Sequence, residues 1–329
     1  MRTKDLNLVS DYIDRSSSNI IKGILICLII IGHNYILTDA LPGLFNDLYS
    51  FHVFIFFILP CFYQQTSITY LKTFKRSFKL LVYYLIFFIV LVTAYHYMYE
   101  VDFSFSNTLA SFLKGGHMSL DAVTGYQYLW FLPAFLITML IYDLYHIISN
   151  RWKIVFCILS FIVYLYFVRY PYTQYCAIIQ GVYFASVGLL AVVLYNLVKK
   201  VITIRVLLPI FMALSVALFI PCICKVIVPI MPFVSFAFLW EVARTYKDKL
   251  SCFEKLGKNS LLIYLIHPIV YQLLIRLLPI KTMLIQGLIV LFLTIIVSAL
   301  ISSVVNRVLE SFTLGGIKSI FIKNTNEAR

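Results

Sequence analysis

The chain has 329 residues, of which 62% are hydrophobic and only 12% are charged, whereas a soluble domain carries about 25% charged residues. This composition excludes an ordinary soluble domain and indicates a membrane protein with several spans. The net charge of +13 would suit a nucleic-acid partner, but its distribution along the chain favours a topological role. We therefore expect no nucleic-acid partner.

Ten apolar segments are candidate membrane spans, so the predicted fold is an all-α, polytopic helical bundle. Their approximate bounds are 20–37, 48–64, 80–97, 128–148, 153–169, 176–198, 204–220, 222–240, 260–278 and 282–304. The corresponding domain organisation is an N-terminal segment (1–19), one membrane domain (20–304) and a C-terminal tail (305–329).

The basic residues predict the orientation of these spans. If the N-terminus is cytoplasmic, 22 of the 27 Lys and Arg residues fall in cytoplasmic segments; the exceptions are Lys114, Arg169, Lys225, Arg276 and Lys281. Because cytoplasmic loops are enriched in Lys and Arg, both termini are expected in the cytoplasm of a cell-membrane protein. The cations are also expected to contact anionic lipid headgroups.

The first span carries two ionisable residues, Lys22 at its start and His33 deep inside. They are eleven positions apart, which places them on one helix face, about 16 Å apart along the axis. An ionisable group inside a membrane is a functional hypothesis, although a histidine bonded to a neighbouring helix fits the pattern equally well.

The second span adds His52 near its outer end, and Pro60 is expected to kink it. A short connection joins the first two spans, so the imidazoles of His33 and His52 could approach one another. A structural role for His52 as a polar anchor at the membrane interface fits as well.

Four cations precede the third span at helical spacing: Lys72, Lys75, Arg76 and Lys79. On one helix face they suit a polyanion, such as the phosphates of a nucleotide cofactor. The alternative is a simple topological signal. After this span comes the longest outer loop, where Phe103 to Leu113 could form a helix on the membrane surface.

The seven cysteines lie mostly inside apolar runs. Cys222 and Cys224 are the closest pair, but they lack a cluster of further ligands, so no metal site is expected. We expect all seven to be small buried hydrophobic residues.

Five short motifs, in chain order, resemble membrane acyltransferase family 3. They are Lys22-Gly23 with Gly32-His33, the segment Phe51 to Cys61, the basic loop Lys72 to Lys79, Tyr128 to Pro133 around Trp130, and Gly257 to Leu261 with Tyr264 to Pro268. Three positions depart from the family pattern. Lys22 stands where arginine is commoner, Asn19 is the nearest polar residue where an aspartate often precedes, and Pro60-Cys61 replaces Ser-Gly.

The resemblance implies an integral membrane O-acetyltransferase that moves an acetyl group from acetyl-CoA to a hydroxyl of a cell-surface polysaccharide or its lipid-linked precursor. His33 would be the general base, because an imidazole with a pKa of about 6.5 is neutral before it takes the hydroxyl proton. Lys22 and the four cations would hold the CoA phosphates, and His52 would orient the acceptor or the thioester carbonyl.

Two further residues of the motifs carry less specific expectations. Trp130 would line the acceptor groove or belong to the aromatic belt at the interface. His267, which precedes Pro268, would contact substrate or satisfy a backbone carbonyl freed by the proline.

Two other function classes remain open on the sequence. A polysaccharide transporter or polymerase would also have many spans and many aromatic residues, but transporters more often show paired broken helices. A non-catalytic partner of a glycan synthase complex could retain the fold without the reaction.

Overall fold

A computed structural model describes residues 12–63, 69–99, 102–125, 127–170, 172–199, 203–278 and 282–326. Most of these residues are helical, and none of them forms a β-strand. In chain order the helices are α1 (Arg15–Gly32), α2 (Tyr35–Ala40), α3 (Pro42–Ile58), α4 (Tyr70–Tyr99), α5 (Phe105–Lys114), α6 (His117–Thr124), α7 (Phe131–Ile147), α8 (Asn150–Arg169), α9 (Ala177–Val198), α10 (Ile204–Ala217), α11 (Pro221–Ile227), α12 (Met231–Thr245), α13 (Ser251–Lys258), α14 (Ser260–Leu277) and α15 (Met283–Asn326).

Seven helical segments among the described residues are long and apolar enough to cross a membrane. They are Arg15–Gly32, Tyr70–Tyr97, Tyr128–Ile147, Arg151–Arg169, Ala177–Val198, Ser260–Leu277 and Met283–Arg307. Two shorter apolar helices, Asp47–Phe62 and Ile204–Ala217, match two more of the predicted spans. The all-helical membrane fold is confirmed, while the count of about ten spans and the cytoplasmic termini stay predictions.

Three predicted spans besides the first differ in detail from the helices. The segment 222–240 is not continuous, because α11 ends at Ile227 and α12 begins at Met231, with Pro229 and Pro232 at the interruption. The last predicted span ends at 304, whereas α15 continues to Asn326. In the second span the α-helix ends at Ile58 and a 3-10 turn, Leu59–Phe62, contains Pro60, so the predicted kink takes the form of a change in helix type.

The chain divides into two compact units. The large unit comprises Met1–Ser18 and Tyr49–Tyr246, and the small unit comprises Asn19–Leu48 and Lys247–Arg329. The division into segments 1–19, 20–304 and 305–329 stays a prediction.

The core of the large unit is built on α7 and α9 and is rich in aromatic rings. Phe57 stacks on Phe184 with ring centroids 4.0 Å apart, and both rings are buried. The hydroxyl of Tyr142 donates to the backbone oxygens of Phe57, at 2.9 Å, and Phe184, at 3.3 Å. Because this hydroxyl is fully buried, the two carbonyls satisfy a group that would otherwise destabilise the core.

A buried ion pair joins α4 to α7 in the same unit. The Arg76 guanidinium lies 2.6 Å from Oδ2 of Asp143, and the Thr73 hydroxyl donates to the same oxygen at 2.6 Å. The Asp143 side chain is 6% exposed, and that of Arg76 is 34% exposed. Opposite charges in contact make the burial of the carboxylate tolerable.

The segment Phe103 to Leu113 is largely helical, as α5. Its Phe112 ring stacks on Tyr84 of α4 at 4.8 Å, and the Tyr84 hydroxyl donates to the Phe112 oxygen at 2.8 Å. Its position on a membrane surface stays a prediction.

The small unit depends on close backbone contacts between α1 and α13. A Cβ atom added at Gly257 would collide with the backbone oxygen of Asn19, and one added at Gly23 would collide with that of Phe253. A residue with a side chain therefore does not fit at either position without a backbone shift. In the same unit α14 and α15 pack together, and α15 also packs on α2.

The prediction that all seven cysteines are buried is wrong for five of the six whose burial is described, and the side chain of Cys222 lies outside the described part of the structure. Cys61 is buried, but Cys252 is exposed, and Cys27, Cys157, Cys176 and Cys224 are intermediate. Cys252 lies in α13, a short helix with strong separation of polar and apolar faces, whereas most of the others lie in apolar helices whose outer faces remain accessible.

Candidate active site

The predicted continuous helix over 20–37 is interrupted at His33 and Asn34. Helix α1 ends at Gly32 and α2 begins at Tyr35. The backbone N–H of His33 still donates to Ile29, at 2.9 Å, and the Asn34 side chain accepts from the Leu37 N–H at 3.2 Å, capping α2. Glycine and asparagine favour helix ends, which explains the break at Gly32 to Asn34.

The ring of His33 contacts that of His267. Nδ1 of His33 lies 2.8 Å from Nε2 of His267, and the rings are nearly parallel, with centroids 5.1 Å apart. His33 is 7% exposed and His267 is 1% exposed. The hydrogen bond therefore lies where water does not compete for either nitrogen.

The other side of His267 faces the backbone of its own helix. Its Nδ1 lies 3.3 Å from the oxygen of Ile263, one turn earlier in α14. The imidazole thus contacts a backbone carbonyl of its own helix, while a contact of His267 with substrate stays a prediction.

These contacts determine which nitrogens carry hydrogen in a neutral pair. A carbonyl oxygen only accepts, so Nδ1 of His267 is the donor to Ile263 and its Nε2 is an acceptor. Nδ1 of His33 must then donate across the 2.8 Å contact, and Nε2 of His33 is its basic nitrogen. This arrangement of hydrogens satisfies both contacts of the neutral pair.

Asn34 fixes the backbone next to this pair. Its Nδ2 donates to the oxygen of Gly287 in α15 at 2.7 Å, and the Tyr271 hydroxyl donates to its Oδ1 at 3.4 Å. Asn34 is fully buried. The helix break is therefore held to both α14 and α15.

Three of these residues, Asn34, Tyr271 and Gly287, were not predicted as site residues from the sequence. Asn34 carries a local signal, since it directly follows Gly-His inside an apolar run and asparagine there is expected to interrupt a helix. Tyr271 and Gly287 carry no signal of this kind, because their roles depend on partners more than 200 positions away.

The remaining predicted site residues have varied surroundings. Lys22 is half-buried on α1. His52 lies in the large unit, is fully buried, and packs edge-on against Tyr49 with centroids 4.8 Å apart. The predicted approach of His52 to His33 stays a prediction, as does a shared phosphate site of Lys22 and the four cations.

The four cations on α4 differ from one another. Arg76 is engaged by Asp143, whereas Lys72, Lys75 and Lys79 are exposed, with the Lys79 ammonium 5.5 Å from the centre of the Tyr83 ring. Asp143 was missed in the sequence, although an acidic residue within a predicted span is a recognisable signal.

Trp130 lies in a short 3-10 turn, Gln127–Trp130, that leads into α7. It is buried and stacks on Phe184 with centroids 5.6 Å apart. Its ring therefore packs in the aromatic core of the large unit, and its predicted places in the acceptor groove or the interfacial aromatic belt stay predictions.

Among the described residues no group of three or more His, Cys, Asp or Glu side chains could hold a metal ion. The described site is built from imidazole and amide side chains.

The profile of a family described as "Acyltransferase domain" matches residues 15–303, which include α1, the helix break, both histidines of the pair and the first part of α15. The chain belongs to acyltransferase family 3. No curated protein and no solved structure matches it. With several membrane-spanning helices, this member of acyltransferase family 3 is a multi-pass membrane acyltransferase, and the buried His33–His267 pair lies inside its acyltransferase domain.

Proposed function

We propose that the protein is an integral membrane O-acetyltransferase of the cell membrane, with about ten spans and both termini in the cytoplasm. It transfers an acetyl group from acetyl-CoA to a hydroxyl of a cell-surface polysaccharide or of its lipid-linked precursor. The observation that supports this best is the buried imidazole of His33, placed at a helix break inside the acyltransferase domain.

The reaction needs a base because a sugar hydroxyl is a weak nucleophile near neutral pH. In the hydrogen arrangement described above, Nε2 of His33 is the nitrogen that accepts a proton. Nε2 takes the hydroxyl proton while the oxygen bonds to the thioester carbonyl carbon. The imidazolium of His33 then gives this proton to the sulfur as the carbon–sulfur bond breaks, so the products are the acetyl ester and the CoA thiol. Positioned proton transfer of this kind contributes about 10²–10⁴-fold to rate.

The acyl donor is a polyanion, and exposed cations suit its phosphates. Lys72, Lys75 and Lys79 are exposed and are proposed to bind the phosphates together with Lys22, from the cytoplasmic side. Arg76 is a weaker candidate than the lysines, because Asp143 already compensates its charge.

The experiment is a transfer assay with radiolabelled acetyl-CoA in membranes of the native cells, comparing the wild type with His33→Asn. The asparagine amide occupies the place of Nδ1 and can still donate to His267, so only the basic nitrogen is removed. We expect label in the surface glycan to fall about 10²–10⁴-fold in rate, at equal protein level. Undiminished acetylation would refute the role of His33.

The same cells distinguish acetyl transfer from transport or polymerisation. Mass spectrometry of the glycan from cells lacking the protein should show chains of normal length without the acetyl groups. Shorter or absent chains, with acetylation unchanged, would favour a transporter, a polymerase or a non-catalytic partner instead.

A further inference from the structure

His267 is a fully buried titratable residue that neither takes nor gives a proton in the proposed reaction. It is 1% exposed, and both of its ring nitrogens face hydrogen-bonding groups, Nε2 towards His33 at 2.8 Å and Nδ1 towards Ile263 at 3.3 Å. A side chain constrained on both sides in this way suits a role in orienting another group.

The alternative tautomer of His33 does not fit these contacts. If His33 carried its hydrogen on Nε2, its Nδ1 would present a lone pair to the lone pair on Nε2 of His267. The hydrogen bond would be lost at a buried position where water cannot replace it, and such a loss is costly. In that tautomer Nε2 of His33 could not accept a proton.

Because His33 lies at a helix end, the orientation of its ring depends on a contact made by the ring itself. His33 follows the last residue of α1, so the next helical turn does not constrain its side chain as it would inside a helix. Asn34 holds the neighbouring backbone to Gly287, but that contact does not determine the tautomer of the imidazole. The contact with His267 acts on the ring itself.

We propose that His267 is a positioning residue, which accepts a hydrogen bond from Nδ1 of His33 and thereby keeps Nε2 of His33 in the basic form and in place. This inference rests on the proposed function, in which His33 is the base. When His33 becomes an imidazolium, the same bond becomes charge-assisted and stronger, so His267 also favours the state formed during transfer.

Two amide substitutions separate this role from a packing role. In His267→Gln the side-chain oxygen can reach the place of Nε2 and accept from His33. In His267→Asn the amide is one carbon shorter and reaches only the place of Nδ1. Both variants are neutral and polar, so they differ chiefly in whether His33 retains an acceptor.

We expect His267→Asn to lower kcat about 10- to 100-fold, the range found for residues that orient a metal-binding histidine, with the KM for acetyl-CoA unchanged. His267→Gln should recover most of that loss. Equal rates for the two variants, at equal protein level and thermal stability, would overturn the inference, as would an effect confined to KM.

A second measurement needs no substrate. Nitrogen NMR of the purified protein labelled at histidine, with the His33 signal assigned by its absence in His33→Asn, reports which nitrogen carries hydrogen. We expect hydrogen on Nδ1 of His33 in the wild type and in His267→Gln, and a mixture in His267→Asn. Hydrogen on Nε2 in an active wild type would overturn the inference alone, whereas a wild type that transfers no acetyl group would refute the proposed function as well.

Discussion

Each unit contains a polar pair in or directly beside helices that are apolar enough to span a membrane, but the two pairs differ in chemistry. In the large unit Arg76 and Asp143 meet at 2.6 Å and their charges compensate each other, which joins α4 to α7. In the small unit His33 and His267 meet at 2.8 Å, and each neutral ring has one donor and one acceptor. An ion pair of this kind stabilises helix packing. In an imidazole pair, by contrast, the hydrogen bond made by one ring nitrogen determines whether the other nitrogen of that ring is basic. We therefore propose a stabilising role for the first pair and a catalytic role for the second.

The largest effect is expected from disrupting the packing of α1 on α13, in the unit that contains the imidazole pair. Gly257→Ala places a Cβ atom against the backbone oxygen of Asn19, which cannot move as a side chain can. We expect a loss of about 3 kcal/mol or more in the free energy of unfolding, seen as low yield and a low Tm in detergent. The control is Gly287→Ala, whose new Cβ meets chiefly the Leu37 side chain. A similar Tm for the two variants would contradict the backbone collision.

A direct test of the comparison is to break the ion pair. Arg76→Gln leaves the buried Asp143 carboxylate with Thr73 as its described donor, so we expect the free energy of unfolding to fall by about 1–3 kcal/mol. The partial exposure of Arg76 favours the lower end of this range. The kcat per folded molecule should not change, and the control Lys75→Gln should leave the Tm unaltered. A large loss of kcat at normal Tm would move this pair into the catalytic machinery.

A smaller effect is expected at the exposed lysines beside the ion pair. Lys75→Gln and Lys79→Gln should each weaken acetyl-CoA binding by about 1 kcal/mol or less, because exposed charges are screened by solvent. The measurement is acetyl-CoA affinity at low and at physiological salt. Lys249→Gln, another exposed lysine of a predicted cytoplasmic segment, serves as the control. Equal acetyl-CoA affinity in all three variants would contradict phosphate binding by these lysines and favour a purely topological role for the cluster.

The smallest expected effect concerns His117, a histidine of the large unit outside the membrane spans. Burial lowers its pKa below the ordinary 6.5, partly offset by Asp121. The unfolded chain then binds a proton at a higher pH than the folded protein does, so stability falls as the pH drops below about 6.5. His117→Gln should reduce this loss, measured as Tm at pH 7.5 and at pH 5.5. If the Tm of His117→Gln fell between pH 7.5 and pH 5.5 as much as that of the wild type, His117 would not be the cause of the loss of stability.

Local patterns predicted much of this structure. The long apolar segments gave the membrane helices, and the buried position of His33 follows from its place within such a segment. The helix break at His33 was missed, because hydrophobicity over 20–37 is continuous and the signal is a single asparagine. Arg76 was grouped with its neighbouring lysines because its spacing is the same, and only the approach of α7 with Asp143 distinguishes it.

By itself, the sequence determined the class of the protein, its acyltransferase family and the residue proposed as the base. Composition and short motifs are local properties, and each of them can be read without knowing which helices are neighbours. The tertiary structure alone decided that His267 contacts His33 and that Asn34 is held by Gly287. These partners are separated by more than 230 positions, and their contacts depend on how α14 and α15 pack, which no local pattern specifies.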